Sequence, residues 1–176
     1  MPIQNSETHY GVIAIILHWL MAILLIALLI LGLYMEGLPI SLEKLKFYGW
    51  HKEYGILALM LVMIRIIWRL INITPRLSLP LLEKIAARTV HWAFYGFMFA
   101  MPITGWLITS AAGLPVSFFG LFVLPDLVSP NDDLMKLFQE IHQWLGYGLI
   151  ATIILHASAA FKHHFINKDD ILRRML

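Results

Sequence analysis

The chemistry this sequence offers is carried by eight histidines in a chain of 176 residues that has no cysteine. Two of them, His142 and His156, stand fourteen residues apart in one apolar stretch, 139–162. At 100° per residue that interval returns to within about 40° of the starting direction, roughly 21 Å further along a helix axis. Both imidazoles therefore project from one face at two heights. Imidazoles inside lipid are expensive unless partnered, so a pair repeated on one face asks for two stacked partners. Zinc wants three or four ligands in one shell, whereas a haem iron wants two axial ligands in line. With two histidines expected at each height, the spacing predicts two b-type haems.

The second member of each pair follows from depth. His18 lies about seven residues, or roughly 10 Å, inside the first apolar stretch, 11–34, and His156 lies about as far from the other end of its own. These two are expected to face each other. His51 opens the second stretch, 50–70, and His142 lies near the start of the fourth, so they form the other pair. His91 sits at the mouth of the third stretch, 90–111, about two turns shallower than His156, and is left outside the ligand set. Arg65, fourteen residues after His51, points to the same interior face at the level of His18 and His156. Haem propionates are its expected counter-ions, because an unpaired arginine in lipid is costly. Lys52 could serve the other haem in the same way.

A porphyrin held edge-on between helices needs small residues one turn from its ligands. The positions four away from the four histidines are Ala14, Ala22, Phe47, Gly55, Phe138, Gly146, Thr152 and Ala160. Five of these eight are Gly or Ala, more than their share of the chain predicts, which supports the assignment. Close approach of membrane helices favours small residues too.

Composition says what must position these groups. Apolar residues make up 60 % and charged residues 14 %, against about 25 % charged in soluble domains. The chain is therefore expected to be an all-α integral membrane four-helix bundle, a single domain over 1–176, with the lipid bilayer as its first partner. At about 20 residues per crossing, four spans and their connections use the whole length. The stretch 114–125 is too short to cross and is expected to be an interfacial or loop segment. No basic n-region or cleavage site marks the first span as a signal peptide. The net charge of +2 is slight and dispersed, so no nucleic-acid partner is expected. The absence of cysteine removes iron–sulfur clusters, thiolate zinc sites and c-type haem attachment.

Lys and Arg set the orientation. Arg69, Arg76, Lys84, Arg88, Lys162, Lys168, Arg173 and Arg174 lie on the side of the termini, against Lys44, Lys46, Lys52 and Lys136 on the other. By the positive-inside rule both termini are cytoplasmic. Trp19, Trp50, Trp68, Trp92, Trp106 and Trp144 fall mainly toward span ends, as interfacial anchors do.

The arrangement of His18-Trp19, Gly49-Trp50-His51, Glu140-Ile141-His142, Leu155-His156 and His163-His164 resembles the prokaryotic cytochrome b561 family, related to the cytochrome b subunits of nickel–iron hydrogenases. The resemblance covers essentially the whole chain. It implies that His18 and His156 hold one haem and His51 and His142 the other. It also implies electron transfer across a bacterial inner membrane between an outer donor, with superoxide a candidate, and ubiquinone. The implied activity is that of a superoxide:ubiquinone oxidoreductase. Lys44, Lys46 and Lys52 would attract an anion on the outer side, although the nearby acidic residues weaken such a funnel. By similarity, His163 is the candidate to hydrogen-bond or protonate a quinone carbonyl. Two other classes fit the composition: a membrane anchor that passes electrons to or from a dehydrogenase partner protein, and a transporter using histidines as a relay.

Overall fold

The computed structural model describes residues 2–76 and 79–175. Four long helices carry the chain: α1 (Val12–Glu36), α2 (Leu42–Ile71), α3 (Leu81–Ala111) and α4 (Asp132–Phe161). All four are long and apolar enough to cross a membrane, and the molecule is 73 % helical. The fold is an all-α membrane four-helix bundle. Neighbours pack in chain order, α1 on α2, α2 on α3 and α3 on α4.

Three of the helices begin well before the apolar stretches that announce them. The Ser41 side chain accepts from the Lys44 N–H at 3.2 Å and caps α2, so Leu42–Gly49 is helical rather than a connection. Asn131 caps α4 through the Leu134 N–H at 2.9 Å, with Asp132 and Asp133 in the first turn against the helix dipole. Pro80 stands at the start of α3. These polar helical prefixes move His51, His91 and His142 deeper into their helices than hydropathy alone suggests.

Between α3 and α4 the chain forms a two-stranded antiparallel hairpin, β1 (Val116–Phe118) and β2 (Phe122–Leu124). This is the segment expected as interfacial or loop. Its turn holds Phe119 and Gly120 at φ values of 49° and 71°. A phenylalanine rarely adopts that left-handed conformation. Here its ring packs edge-on against Tyr54 of α2 at 5.2 Å, and Trp106 Nε1 donates to Pro125 O at 3.0 Å from α3.

The opposite end is tied together by the termini. Asn5 donates to Ile73 O, Arg76 N–H donates to Glu7 O, Trp19 Nε1 donates to Met175 O at 2.6 Å and Arg174 donates to Arg76 O at 3.0 Å. Between the two ends lies an apolar core of Met21, Leu25, Val62 and Met98 from α1, α2 and α3, with Leu149 buried on α4. In lipid this packing is held by van der Waals contact rather than by exclusion of water. Leu149 stands seven residues from each histidine of α4, so the core separates the two histidine levels.

Candidate functional site

Each of the two levels holds one histidine pair, and α4 contributes to both. On the hairpin side, His51 of α2 faces His142 with ring centres 6.2 Å apart and planes at 75°. On the side of the termini, His18 of α1 faces His156, again at 6.2 Å, with planes at 56°. The pairing expected from depth is therefore the pairing found in space. His51 and His142 nevertheless lie deeper than a first turn. His51 is the tenth residue of α2 and His142 the eleventh of α4, roughly 14 to 15 Å from the start, because of the capped polar prefixes.

The equal separation has a chemical reading. Two metal–imidazole bonds of about 2 Å, together with roughly 1.1 Å from each ring nitrogen to its ring centre, span about 6.2 Å. Each pair would therefore have room for one metal ion between its two rings. The surroundings leave space for a macrocycle: a Cβ added at Gly55, one turn from His51, would meet nothing within 4 Å. Among the described residues no three His, Asp or Glu side chains converge as a zinc shell would require. The residues present fit haem.

The two sites are walled differently. On the hairpin side a Cβ added at Gly32 of α1 would lie 3.3 Å from His51 Cε1, and one added at Gly105 of α3 would lie 3.4 Å from His142 Cε1. The two helices that carry no histidine at that level thus give way to the rings with glycine. Thr104 Oγ1 lies 2.9 Å from His142 Nδ1, while His51 Nδ1 is buried with no hydrogen-bond partner among the described residues.

On the side of the termini the neighbours are cationic and aromatic. Arg65 Nη2 lies 3.4 Å from His18 Nδ1 and its Nη1 3.5 Å from Leu17 O, which puts the guanidinium at the level expected for it. Phe94 stands edge-on to His156 at 5.2 Å. His91 also reaches His156, with ring centres 5.9 Å apart. That corrects the expected depth of His91. Helix α3 begins at Leu81, so His91 is an interior residue rather than one at the mouth of a span. The signal available in the sequence was Pro80 followed by Glu83, a helix start nine residues before the apolar stretch.

His163 lies beyond α4 in a π-helical segment, Lys162–Asn167, that ends on Lys168 at a φ of 55°. It is 8 % exposed. Its Nδ1 donates to Asp169 Oδ2 at 2.6 Å, and its Nε2 is 3.9 Å from Glu83 Oε2 on α3. Desolvation raises the Asp169 carboxyl, but the His163 hydrogen bond, the Ile171 N–H and the charges of His163 and Arg174 outweigh it. The net result is a carboxyl held below its ordinary value. Lys52 makes no ion pair among the described residues.

The chain is similar over its length to known proteins. The profile of the prokaryotic cytochrome b561 family matches residues 9–176. Cytochrome b561 homolog 2 of Escherichia coli K12 is 37 % identical over 187 aligned positions, covering 100 % of this chain and 95 % of that protein. Cytochrome b561 homolog 1 of the same organism is 38 % identical over 100 positions, covering 55 % and 54 %. A protein described as a probable superoxide oxidase, CybB of Yersinia pestis, is 34 % identical over 132 positions, 72 % of each chain. With four membrane-length helices and paired histidines at two levels, the chain belongs to the prokaryotic cytochrome b561 family, whose members are multi-pass membrane electron carriers that bind haem b.

Proposed function

We propose that this protein binds two haem b groups and moves electrons across the bacterial inner membrane, from a periplasmic donor to ubiquinone. Superoxide is the donor that the likeness to a probable superoxide oxidase favours. The observation that carries the reading is the identical 6.2 Å separation of two histidine pairs from three different helices. His18 and His156 would hold one haem, His51 and His142 the other. Bound there, haem supplies a one-electron carrier at each level. Arg65 would pair with propionates at the His18–His156 level.

In this reading both termini are cytoplasmic, and the His18–His156 level is the quinone end. Lys44, Lys46 and Lys52 at the other end would draw in an anion. Overall, two superoxide ions each give up one electron and leave as dioxygen, while the quinone takes two electrons and two protons to become quinol. His163 is the residue proposed to hydrogen-bond the quinone carbonyl and deliver a proton. Its Nδ1 donates to the Asp169 carboxylate and its Nε2 lies 3.9 Å from Glu83 Oε2, so a quinone carbonyl would have to approach on the Nε2 side, beside Glu83.

Purified protein should be red and carry about two haems per chain with a b-type spectrum. Mixing the oxidised protein anaerobically with quinol, or with a superoxide source, and following the haem absorbance tests the two ends. Reduction by neither reagent would overturn the proposed reaction. A colourless but folded preparation would overturn the haem assignment and favour a histidine relay.

A further inference from the structure

The geometry points to Thr104 as a positioning residue that fixes the tautomer of His142 and thereby sets the redox potential at the His51–His142 level. The consequence for potential rests on the two-haem reading; the tautomer does not.

Thr104 is buried on α3, two residues after Pro102. Its hydroxyl oxygen lies 2.8 Å from Ala100 O, 2.9 Å from Met101 O and 2.9 Å from His142 Nδ1. A hydroxyl has one proton to donate. Both carbonyls are pure acceptors, so the proton goes to one of them and the oxygen meets His142 only as an acceptor. His142 Nδ1 must then carry the ring proton, which leaves the lone pair on Nε2. That nitrogen is the one free to ligate. Thr104 thus holds His142 ready for iron whether or not iron is there.

A hydrogen-bond acceptor on Nδ1–H also raises the basicity of the ligating nitrogen, which favours the more highly charged ferric state. The other ring of the pair offers no counterpart: among the described residues His51 Nδ1 is buried without a hydrogen-bond partner. At the other level the Arg65 guanidinium, a cation and not a hydrogen-bond acceptor, lies 3.4 Å from His18 Nδ1, so that ring has no counterpart of the Thr104 oxygen there. The effect of Thr104 should therefore be confined to one of the two haems.

The test compares Thr104→Val, which keeps the shape and loses the hydroxyl, with Thr104→Ser, which restores it. In an optical redox titration of the purified holoprotein, Thr104→Val should raise the midpoint of one haem, by about 59 mV for each tenfold loss of ferric-over-ferrous preference. The other midpoint and both midpoints of Thr104→Ser should stay near wild type. Unchanged midpoints in Thr104→Val, equal shifts of both haems, or a serine variant that behaves like the valine variant would each overturn the proposal. Should Thr104→Val lose one haem altogether, retention by Thr104→Ser supports the proposal and loss by both variants overturns it.

Haem-free protein labelled with 15N-histidine gives a readout independent of the cofactor. His142 should be Nδ1-protonated in wild type and Thr104→Ser and a tautomer mixture in Thr104→Val. An unchanged tautomer in Thr104→Val refutes the role of Thr104 itself. A wild-type protein with fewer than two haems refutes only the two-haem reading.

Discussion

The two histidine pairs share one separation and almost nothing else. The His51–His142 level is neutral: glycines at 32 and 105 give the rings room, and the Thr104 hydroxyl lies 2.9 Å from His142 Nδ1 with the Met101 backbone also beside that ring. The His18–His156 level is crowded by Arg65, His91 and Phe94. The spacing between imidazoles is the same at both levels, as the proposed haem ligation would require. The walls answer to what each level must do, and a cation beside one pair stabilises the reduced, less positive state of whatever iron is held there. The neutral level should therefore titrate at lower potential unless propionates cancel the Arg65 charge. That difference would draw electrons toward the cationic end.

The largest effect expected is the loss of a ligand. His156→Ala should leave about one haem per chain, and His142→Ala should do the same while sparing the other level; haemochrome assay of each variant checks both. Full pigment in either variant would end the account. His91→Leu is the sharper test, since its ring is as near to His156 as that of His18. Both haems should survive His91→Leu, whereas His18→Ala should lose one; a reversed result would hand the ligand role to His91.

Next in size is a steric intrusion. Gly105→Val places a branched side chain against His142 Cε1, an overpacking of about 1–3 kcal/mol, and should reduce occupancy at the neutral level only. Arg65→Met removes the cation and should lower the midpoint of the His18–His156 haem, on the order of 59 mV for a tenfold change in preference. Redox titration would show it, and a shift at the other level instead would contradict the placement of Arg65.

The smallest effect concerns the C-terminal clasp. Asp169 is held below its ordinary value of 3.8, so its contribution is fully present above that value. It is lost as pH falls through the lower folded value. Hydrogen exchange over 168–175 should rise only below about pH 4 in wild type, and Asp169→Asn should show the fast exchange at neutral pH. Equal protection in both would mean that the hydrogen bond from His163 does not hold the segment.

Much of the site was legible before any coordinates. The fourteen-residue interval between His142 and His156 depends only on helical periodicity, and the match of His18 with His156 depends on rise per residue. Both are local properties of one chain segment. Hydropathy was a poorer guide to where helices start, because it registers what lipid will accept and takes no notice of polar helix. Ser41 and Asn131 were readable cap signals, and they account for the deeper placement of His51 and His142.

By composition and period alone, the sequence determined a four-span bundle with histidines at two heights, since burial in lipid and 3.6 residues per turn leave little choice. Only the tertiary structure decided that His91 reaches His156, that Gly32 and Gly105 face the rings, and that Thr104 lies against His142. Those outcomes depend on the rotation and offset of one helix against another. Such offsets arise from packing across the bundle, and no single segment encodes them.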